Sequence, residues 1–398
     1  VDVTAKAGIR SPYWAVAAAW LDYDRDGLVD LFVVNYLDWS ADRNPYCGDR
    51  AADVRVYCHP GRFDPLPNAL YRNRGDGTFE DVSRTSGIGA HLGKGMSVAI
   101  ADYDNDGWPD VFVTNDTMPN FLFRNQGNGR FEETALAAGV ALNDDGKPLS
   151  GMGADFRDYD NDGRPDVIFS ALPGETFPLF RNQGRGFFRD MTYPSGLGML
   201  SASRGGWSIG LADFNNDGWK DIFTANAHVT DNIELFSNAT YKLPNSLFLN
   251  AGGRFVDVSA QAGEAFRKPA AHRGAAFADF DNDGNMDAVV TALGEPAELW
   301  RNVTVTGNHW IRLKLEGTRS NRGGIGAVVR IGEQSNLMTS AVGYASSSHQ
   351  GVHFGLGRSE KALGVEITWP TGEKQAVDAR DVDRVIEVRE PLTTSPDR

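Results

Sequence analysis

Five stretches of this 398-residue chain place carboxylates at alternate positions of one short turn. They read DYDRDGLVD (Asp22 to Asp30), DYDNDGWPD (Asp102 to Asp110), DYDNDGRPD (Asp158 to Asp166), DFNNDGWKD (Asp213 to Asp221) and DFDNDGNMD (Asp279 to Asp287). Carboxylates this close repel one another and oppose a compact turn unless positive charge sits among them. No Lys or Arg recurs at a fixed place inside the motif, so the expected counter-charge is a bound cation. Ca2+ takes about six to eight oxygens at adaptable geometry, which alternate positions of a tight loop can offer. Positions 1, 3, 5 and 9 would give side-chain oxygens and position 7 a backbone carbonyl. The predicted ligands are Asp22, Asp24, Asp26, Leu28 and Asp30; Asp102, Asp104, Asp106, Trp108 and Asp110; Asp158, Asp160, Asp162, Arg164 and Asp166; Asp213, Asn215, Asp217, Trp219 and Asp221; Asp279, Asp281, Asp283, Asn285 and Asp287. Glycine at position 6 permits the sharp turn.

The pattern begins like an EF-hand, but that loop needs glutamate at its twelfth position and flanking helices. Here the twelfth positions are Val33, Val113, Phe169, Thr224 and Val290, which excludes it. Mg2+ is disfavoured because it demands octahedral geometry with retained waters. In the fourth copy Asn215 keeps the oxygen and loses a charge, making this the candidate for the weakest site. Up to five Ca2+ ions, each with a filled ligand set, would be structural and would link folding to metal. They would also bring the net charge of -14 to about -4. On that balance nucleic acid is not an expected partner.

Strands must position these loops. A run rich in small residues precedes each motif (AVAAAWLDYD, GMSVAIADYD, GMGADFRDYD, GWSIGLADFN, GAAFADFD), and a β-rich run follows (LFVVN, VFVTN, VIFSA, IFTAN, AVVTA). A third element comes next as ALYRN, NFLFRN, PLFRN, NSLFLN and AELWRN, and in most copies a fourth, as in GTFEDVS and GRFVDVS. Each unit is thus four short antiparallel strands with the aspartate loop between the first and second. Motif starts lie 80, 56, 55 and 66 residues apart, the length of a propeller blade. The Ala and Gly of the first strand fit a position near the axis. The predicted class is all-β, a β-propeller of about seven four-stranded blades, five of them carrying aspartate loops.

The DxDxDGxxD loop between strands resembles the FG-GAP or VCBS repeats of calcium-binding propellers such as integrin α-subunit heads. NALYRNRGDGTFEDVSRTSGI, the cysteine-containing insertion before it, and the C-terminal GVHFGLG with GVEITWPTG are similar to the cartilage acidic protein and UnbV (ASPIC/UnbV) family. The resemblance covers nearly the whole chain and implies architecture more than activity. Residues 1-305 are read as propeller repeats. Residues 306-390 are an ASPIC/UnbV-like β segment, either further blades that complete the ring or a small β-domain, and 391-398 a tail. VDVTAKAGI matches the interior FEDVSRTSGI, so the chain is expected to be mature or trimmed at its start, with any signal peptide removed. No apolar run of membrane-spanning length occurs.

Cys47 and Cys58 share one insertion. They suggest a disulfide and an oxidising compartment, two free or buried thiols being the alternative and zinc improbable. Arg74, Gly75 and Asp76 spell RGD where sister repeats have NQGNG and NAGG, so a hairpin turn accounts for them. His349 and His353 share a strand face without a third ligand and are expected to be packed. Asn115, Asn238 and Asn302 head N-x-S/T sequons, with Asn238 and Asn302 expected at the surface.

No nucleophile or phosphate-loop motif is present. The starts of the first strands and the ends of the second must share the face opposite the aspartate loops. That candidate ligand face collects Trp14, His91, Lys94, Arg204, His272 and Arg273 with Asn35, Asn115, Asp116 and His228, a basic and aromatic set suited to an anion or glycan. The leading functional expectation is a secreted or periplasmic calcium-stabilised binding or scaffold module for protein or glycan partners, with catalysis left open. One alternative is a calcium-dependent lyase, hydrolase or cyclase using His228 or His272 on that face. Another is an accessory subunit of a larger assembly.

Overall fold

The computed structural model describes residues 1-348, 351-362 and 364-392. It is all-β, and the repeat units fold as the alternation of their sequence predicts. Ala15–Leu21, Asp30–Asn35, Ala69–Asn73 and Phe79–Asp81 form the first sheet, each strand antiparallel to the next. The second sheet (Gly95–Ala101, Asp110–Asn115, Phe121–Asn125, Phe131–Glu133) repeats this order. So do the third, beginning at Ala154–Arg157, and the fourth, beginning at Gly206–Ala212. The fifth has three strands, His272–Ala278, Asp287–Ala292 and Glu298–Trp300; after Asn302 the sequence lacks the fourth-strand segment and leaves for the C-terminal unit. The first strands of successive repeats lie against one another, and aromatic side chains such as Phe32, Phe112, Phe156 and Phe223 fill the space between sheets.

The C-terminal strands take a different order. His309–Glu316 pairs antiparallel with Val352–Gly357 and parallel with Arg384–Arg389. The second sheet runs Gln334–Leu337, Val328–Ile331, Val365–Thr368, Lys374–Val377. A parallel pair needs a crossover, which an up-and-down blade does not contain. Both sheets share one buried cluster, with Ile311, Val329, Phe354, Ile367 and Trp369 at its centre. Among the described residues five sheets of the repeat type therefore stand beside two sheets of another topology, so the C-terminal strands are not further up-and-down blades.

This unit sits on the aspartate-loop side. Arg25 Nε donates to Pro370 O at 2.8 Å, Arg330 Nη2 to Gly163 O at 3.3 Å, and Gly357 N to Asn216 O at 2.9 Å. Lys220 is buried and its ammonium joins Asp158 O (2.8 Å) to Ser335 O (2.9 Å). A cavity of about 350 Å³ remains between the unit and the first three loops, with Trp369 and Met338 in its wall.

From Met338 the chain runs along the inner strands. Ala341 packs with Ala19 and Leu21, and Val342 with Phe277. Gly343 accepts from Ser97 Oγ (2.6 Å) and donates to Ala154 O (2.7 Å), and Tyr344 N donates to Ser208 Oγ (3.1 Å). This segment thereby bonds to the second, third and fourth repeats and joins apolar clusters shared with the first and the fifth. The inner-strand Ala and Gly are small because a polypeptide lies among them, a cause the sequence reading did not contain. A Cβ on Gly343, whose φ is +71°, would come within 2.0 Å of Ser208 Oγ.

Candidate metal centres and the face opposite them

Each aspartate loop closes by the same bonds. Position 6 is glycine at φ between 83° and 96°, and position 4 also has positive φ (Arg25 57°, Asn105 58°, Asn161 57°, Asn216 58°, Asn282 61°), which explains the recurrent asparagine there. The carboxylate of position 1 accepts from the glycine amide, as Gly107 N to Asp102 Oδ2 at 2.8 Å. Position 9 clamps two strands. Asp110 accepts from Tyr103 N (3.0 Å) and from Asn125 N (2.8 Å), and Asp30, Asp166, Asp221 and Asp287 do the same.

Among the described residues, carboxylate oxygens of positions 1, 3 and 9 converge within 4.8 Å of one another in four repeats: Asp22, Asp24 and Asp30; Asp102, Asp104 and Asp110; Asp158, Asp160 and Asp166; Asp279, Asp281 and Asp287. The fourth repeat has Asp213 and Asp221 with Asn215 between them. Position 5 lies outside these sets and instead accepts the amide of position 7, as Trp108 N to Asp106 at 3.0 Å. Burial is the first cause that drives the carboxyl groups upward. Asp22, Asp102 and Asp158 rise to about 6, Asp30 and Asp213 to about 7, and Asp110, Asp166 and Asp221 well above the ordinary value. Oδ1 of Asp22, Asp24 and Asp160 is buried with no hydrogen-bond partner. Such oxygens suit a hard cation, and the donor set fits Ca2+.

A second positive charge does recur, outside the motif. The arginine ending the third strand bridges positions 3 and 5 in four repeats. Arg72 meets Asp24 (2.7 Å) and Asp26 (3.3 Å), and Arg124 meets Asp104 (2.5 Å) and Asp106 (3.2 Å). Arg181 holds Asp160 and Asp162, and Arg301 holds Asp281 and Asp283, in the same way. The fourth repeat has Leu249 at this place and Asn215 at position 3, so arginine and aspartate are lost together. Arginine thus supplies counter-charge to these loops, which corrects the inference from the motif alone that a bound cation must provide all of it. The asparagine that follows donates across to the preceding repeat: Asn125 Nδ2 to Tyr23 O (2.8 Å), Asn182 to Tyr103 O (2.8 Å), Asn250 to Tyr159 O (2.9 Å) and Asn302 to Phe214 O (2.7 Å). The recurrent Arg-Asn pair was the sequence signal for both roles.

The opposite face is built as the topology requires, Ala15 pairing with Asn35, Gly95 with Asn115 and Gly206 with Asn226. Its residues divide. Asn35 and Asn115 are buried and hold Pro67 O and Pro119 O at 2.8 Å, so they are structural, and Asn115 is no exposed sequon. His91 packs edge-on to Phe121 and Phe123, and Arg204 pairs with Asp257 at 2.9 Å. Lys94 Nζ donates to Pro60 O (2.7 Å), while Asp116 accepts from Tyr36 OH (2.5 Å). Trp14 stands half-exposed against Tyr36 and Trp39. His228 Nδ1 accepts from Thr230 N (3.0 Å), whereas His272 is buried beside Trp300, 3.7 Å from Glu298. Burial lowers both imidazoles, and they have separate partners. Arg273 lies 4.0 Å over Trp207.

Other expectations resolve locally. Cys47 and Cys58 form a disulfide. The RGD segment is a hairpin turn in which Arg74 pairs with Glu80 and Asp76 caps Thr78 N. His353 is buried, stacked on Trp310, with its Nε2 3.1 Å from Gly284 O; His349 lies outside the described residues. Asn302 serves the bond to Phe214 O, so its side chain is not the free surface group expected.

Comparison with known proteins places these features. The FG-GAP-like repeat family matches residues 47-113, 102-169 and 158-224, and the ASPIC and UnbV family matches 317-395. Cartilage acidic protein 1 of Mus musculus is 26% identical over 98% of the chain and 57% of its own length, and that of Homo sapiens 26% over 98% and 56%. This chain carries FG-GAP-like repeats and an ASPIC and UnbV domain and is homologous to cartilage acidic protein 1. It spans a little over half the length of these relatives. A lectin of Agrocybe aegerita that recognises terminal N-acetylglucosamine aligns at TM-score 0.32 and 18% identity over 72% of this chain and 81% of its own. Rhamnogalacturonan lyase of Bacillus licheniformis aligns at 0.36 and 14% over 96% and 74%. Within this chain the Arg-Asn pair recurs with the acidic loop in four of the five repeats. The ASPIC and UnbV match begins inside the C-terminal unit and includes the segment along the inner strands.

Proposed function

We propose that this chain is a calcium-stabilised propeller module, secreted or periplasmic, that binds or scaffolds protein or glycan partners on the face opposite its aspartate loops. The observation that carries the calcium reading is the set of buried carboxylate oxygens without partners at Asp22, Asp24 and Asp160, in loops repeated with one geometry. Asp22, Asp24 and Asp30, and their counterparts, would hold the ion, with the carbonyls of Leu28, Trp108, Arg164, Trp219 and Asn285 as further donors. Bound calcium would supply charge neutralisation and no reaction step. The disulfide and the kinship with a protein named for cartilage support a place outside the cytoplasm.

A binding role is favoured because, among the described residues, the C-terminal unit packs on the loop side and the insertion loops that meet on the other side stay exposed. The histidines there, His228 and His272, are engaged separately. The test is calorimetric titration with Ca2+, then a panel of matrix proteins and saccharides probed with calcium-loaded and chelated protein. Saturable uptake of several ions, a higher melting temperature and calcium-dependent capture of a panel member are expected. An unchanged melt after EGTA would overturn the calcium reading, and turnover of a panel member would overturn the binding role.

A further inference from the structure

We infer that the face opposite the aspartate loops holds a site for a saccharide bearing an oxyanion, centred on Arg273; this rests on the binding-module reading above. Arg273 begins at the inner end of the fifth repeat and is half-buried. Its guanidinium stacks 4.0 Å over Trp207 and 5.8 Å from the Tyr241 ring. Its hydrogen bonds go to His272 O (2.8 Å) and, weakly, to Tyr241 OH (3.4 Å). Among the described residues no carboxylate pairs with it, although the chain carries 53 acidic residues against 39 basic. A desolvated guanidinium held among rings without an anion is costly, and an incoming oxyanion offsets that cost.

The surroundings select what carries the anion. Tyr344, delivered by the segment along the inner strands, sets its ring 5.0 Å from Trp207 at 70°. Tyr57 comes from the disulfide-bearing insertion and donates to Asp231 at 3.3 Å, while Asn232 Nδ2 donates to Arg55 O at 2.9 Å. The insertion of the first repeat and that of the fourth thus meet across this face beside Arg273. Trp207 is itself buried beneath the guanidinium, so the rings open to stack on the apolar face of a sugar are the exposed Tyr57 and the half-buried Tyr241, and a guanidinium takes a carboxylate or sulfate through two parallel bonds. The chain is net acidic, -14 by sequence and about -4 with five Ca2+ counted in, which opposes long polyanions, so a ligand with few charges fits best.

The test uses the full calcium-loaded chain. Short oligomers of glucuronate and galacturonate, their methyl esters and sulfated neutral oligomers are titrated by calorimetry, with tryptophan fluorescence as second readout. Acid or sulfated oligomers should bind, the two arms showing which oxyanion is preferred. Arg273→Met should weaken binding at least about tenfold, and Arg273→Lys less. Esterification should weaken uronate binding comparably, which probes the same contact without altering the protein. Equal binding of acid and ester with no sulfated ligand bound, unchanged affinity in Arg273→Met, or no binding of any oxyanion would overturn the inference. If no saccharide binds while a matrix protein is still captured with calcium, the saccharide site fails and the binding-module reading stands.

Discussion

Replacing Arg124 by leucine converts the second repeat to the arrangement of the fourth at that place. Arg124 holds Asp104 at 2.5 Å and Asp106 at 3.2 Å; its side chain is 40% exposed and theirs 13% and 30%. A unit-charge pair at 4 Å interacts by about 4 kcal/mol at an effective dielectric of 20, but exposed pairs measure nearer 0.2 to 1 kcal/mol. Two acceptors on one guanidinium, discounted for its exposure, give an expected cost of about 1 to 2 kcal/mol, or a fall of about 2 to 5 °C in Tm. Asp104→Asn alone removes one charge, keeps an acceptor oxygen and leaves Asp106 paired. The double variant reproduces the Asn215 and Leu249 pair, so its cost should fall short of the sum by about 1 kcal/mol. Thermal unfolding of the four proteins, with calcium and in EGTA, reads this coupling. It should be larger in EGTA, where the arginine is the remaining counter-charge at the loop. Additivity within about 0.3 kcal/mol in EGTA would refute the view that arginine and aspartate form a unit.

Chelation should lower Tm most at neutral pH. The folded carboxyls of Asp22, Asp30, Asp102, Asp158 and Asp213 titrate at about 6 to 7, above their unfolded value of 3.8, so the chelated fold binds more protons and loses stability as pH rises from 5 through 7. Calcium competes with those protons, and its increment in Tm should grow over the same window; a flat increment in scanning calorimetry contradicts this. Asn182→Ala strips donors from Tyr103 O and Pro165 O and should cost about 2 to 3 kcal/mol in urea unfolding. Asn73→Ala, whose amide serves Val29 O within its own repeat, should cost about half as much. Gly343→Val should unseat the inner segment, read as new proteolytic cleavage between residues 338 and 348, because its Cβ meets Ser208 Oγ.

The legible parts of this molecule were the local ones. Alternation set the strands, glycine set the turn at position 6, and carboxylates at positions 1, 3 and 9 converged because a nine-residue loop can bring them together by itself. The arginine near the end of the third strand was equally visible but lay some eighteen to forty-eight residues from the carboxylates it bridges, so the whole counter-charge was assigned to metal. Asn215 then looked like a damaged site. With Leu249 beside it, the substitution is matched: one charge leaves from each side, and the loop gains cover from the C-terminal unit through Gly357 and Lys220. Illegible altogether was the course of Ala341 to Tyr344, because contacts between residues 97 and 343 leave no periodic trace in either segment. The small residues of the inner strands recorded that contact as a vacancy without naming its occupant. That occupant joins the two faces, since one continuous segment leaves the unit covering the acidic loops and places Tyr344 beside Trp207, over which Arg273 stacks with no carboxylate partner among the described residues. A change at the acidic loops therefore has a continuous covalent route to the geometry of the opposite face.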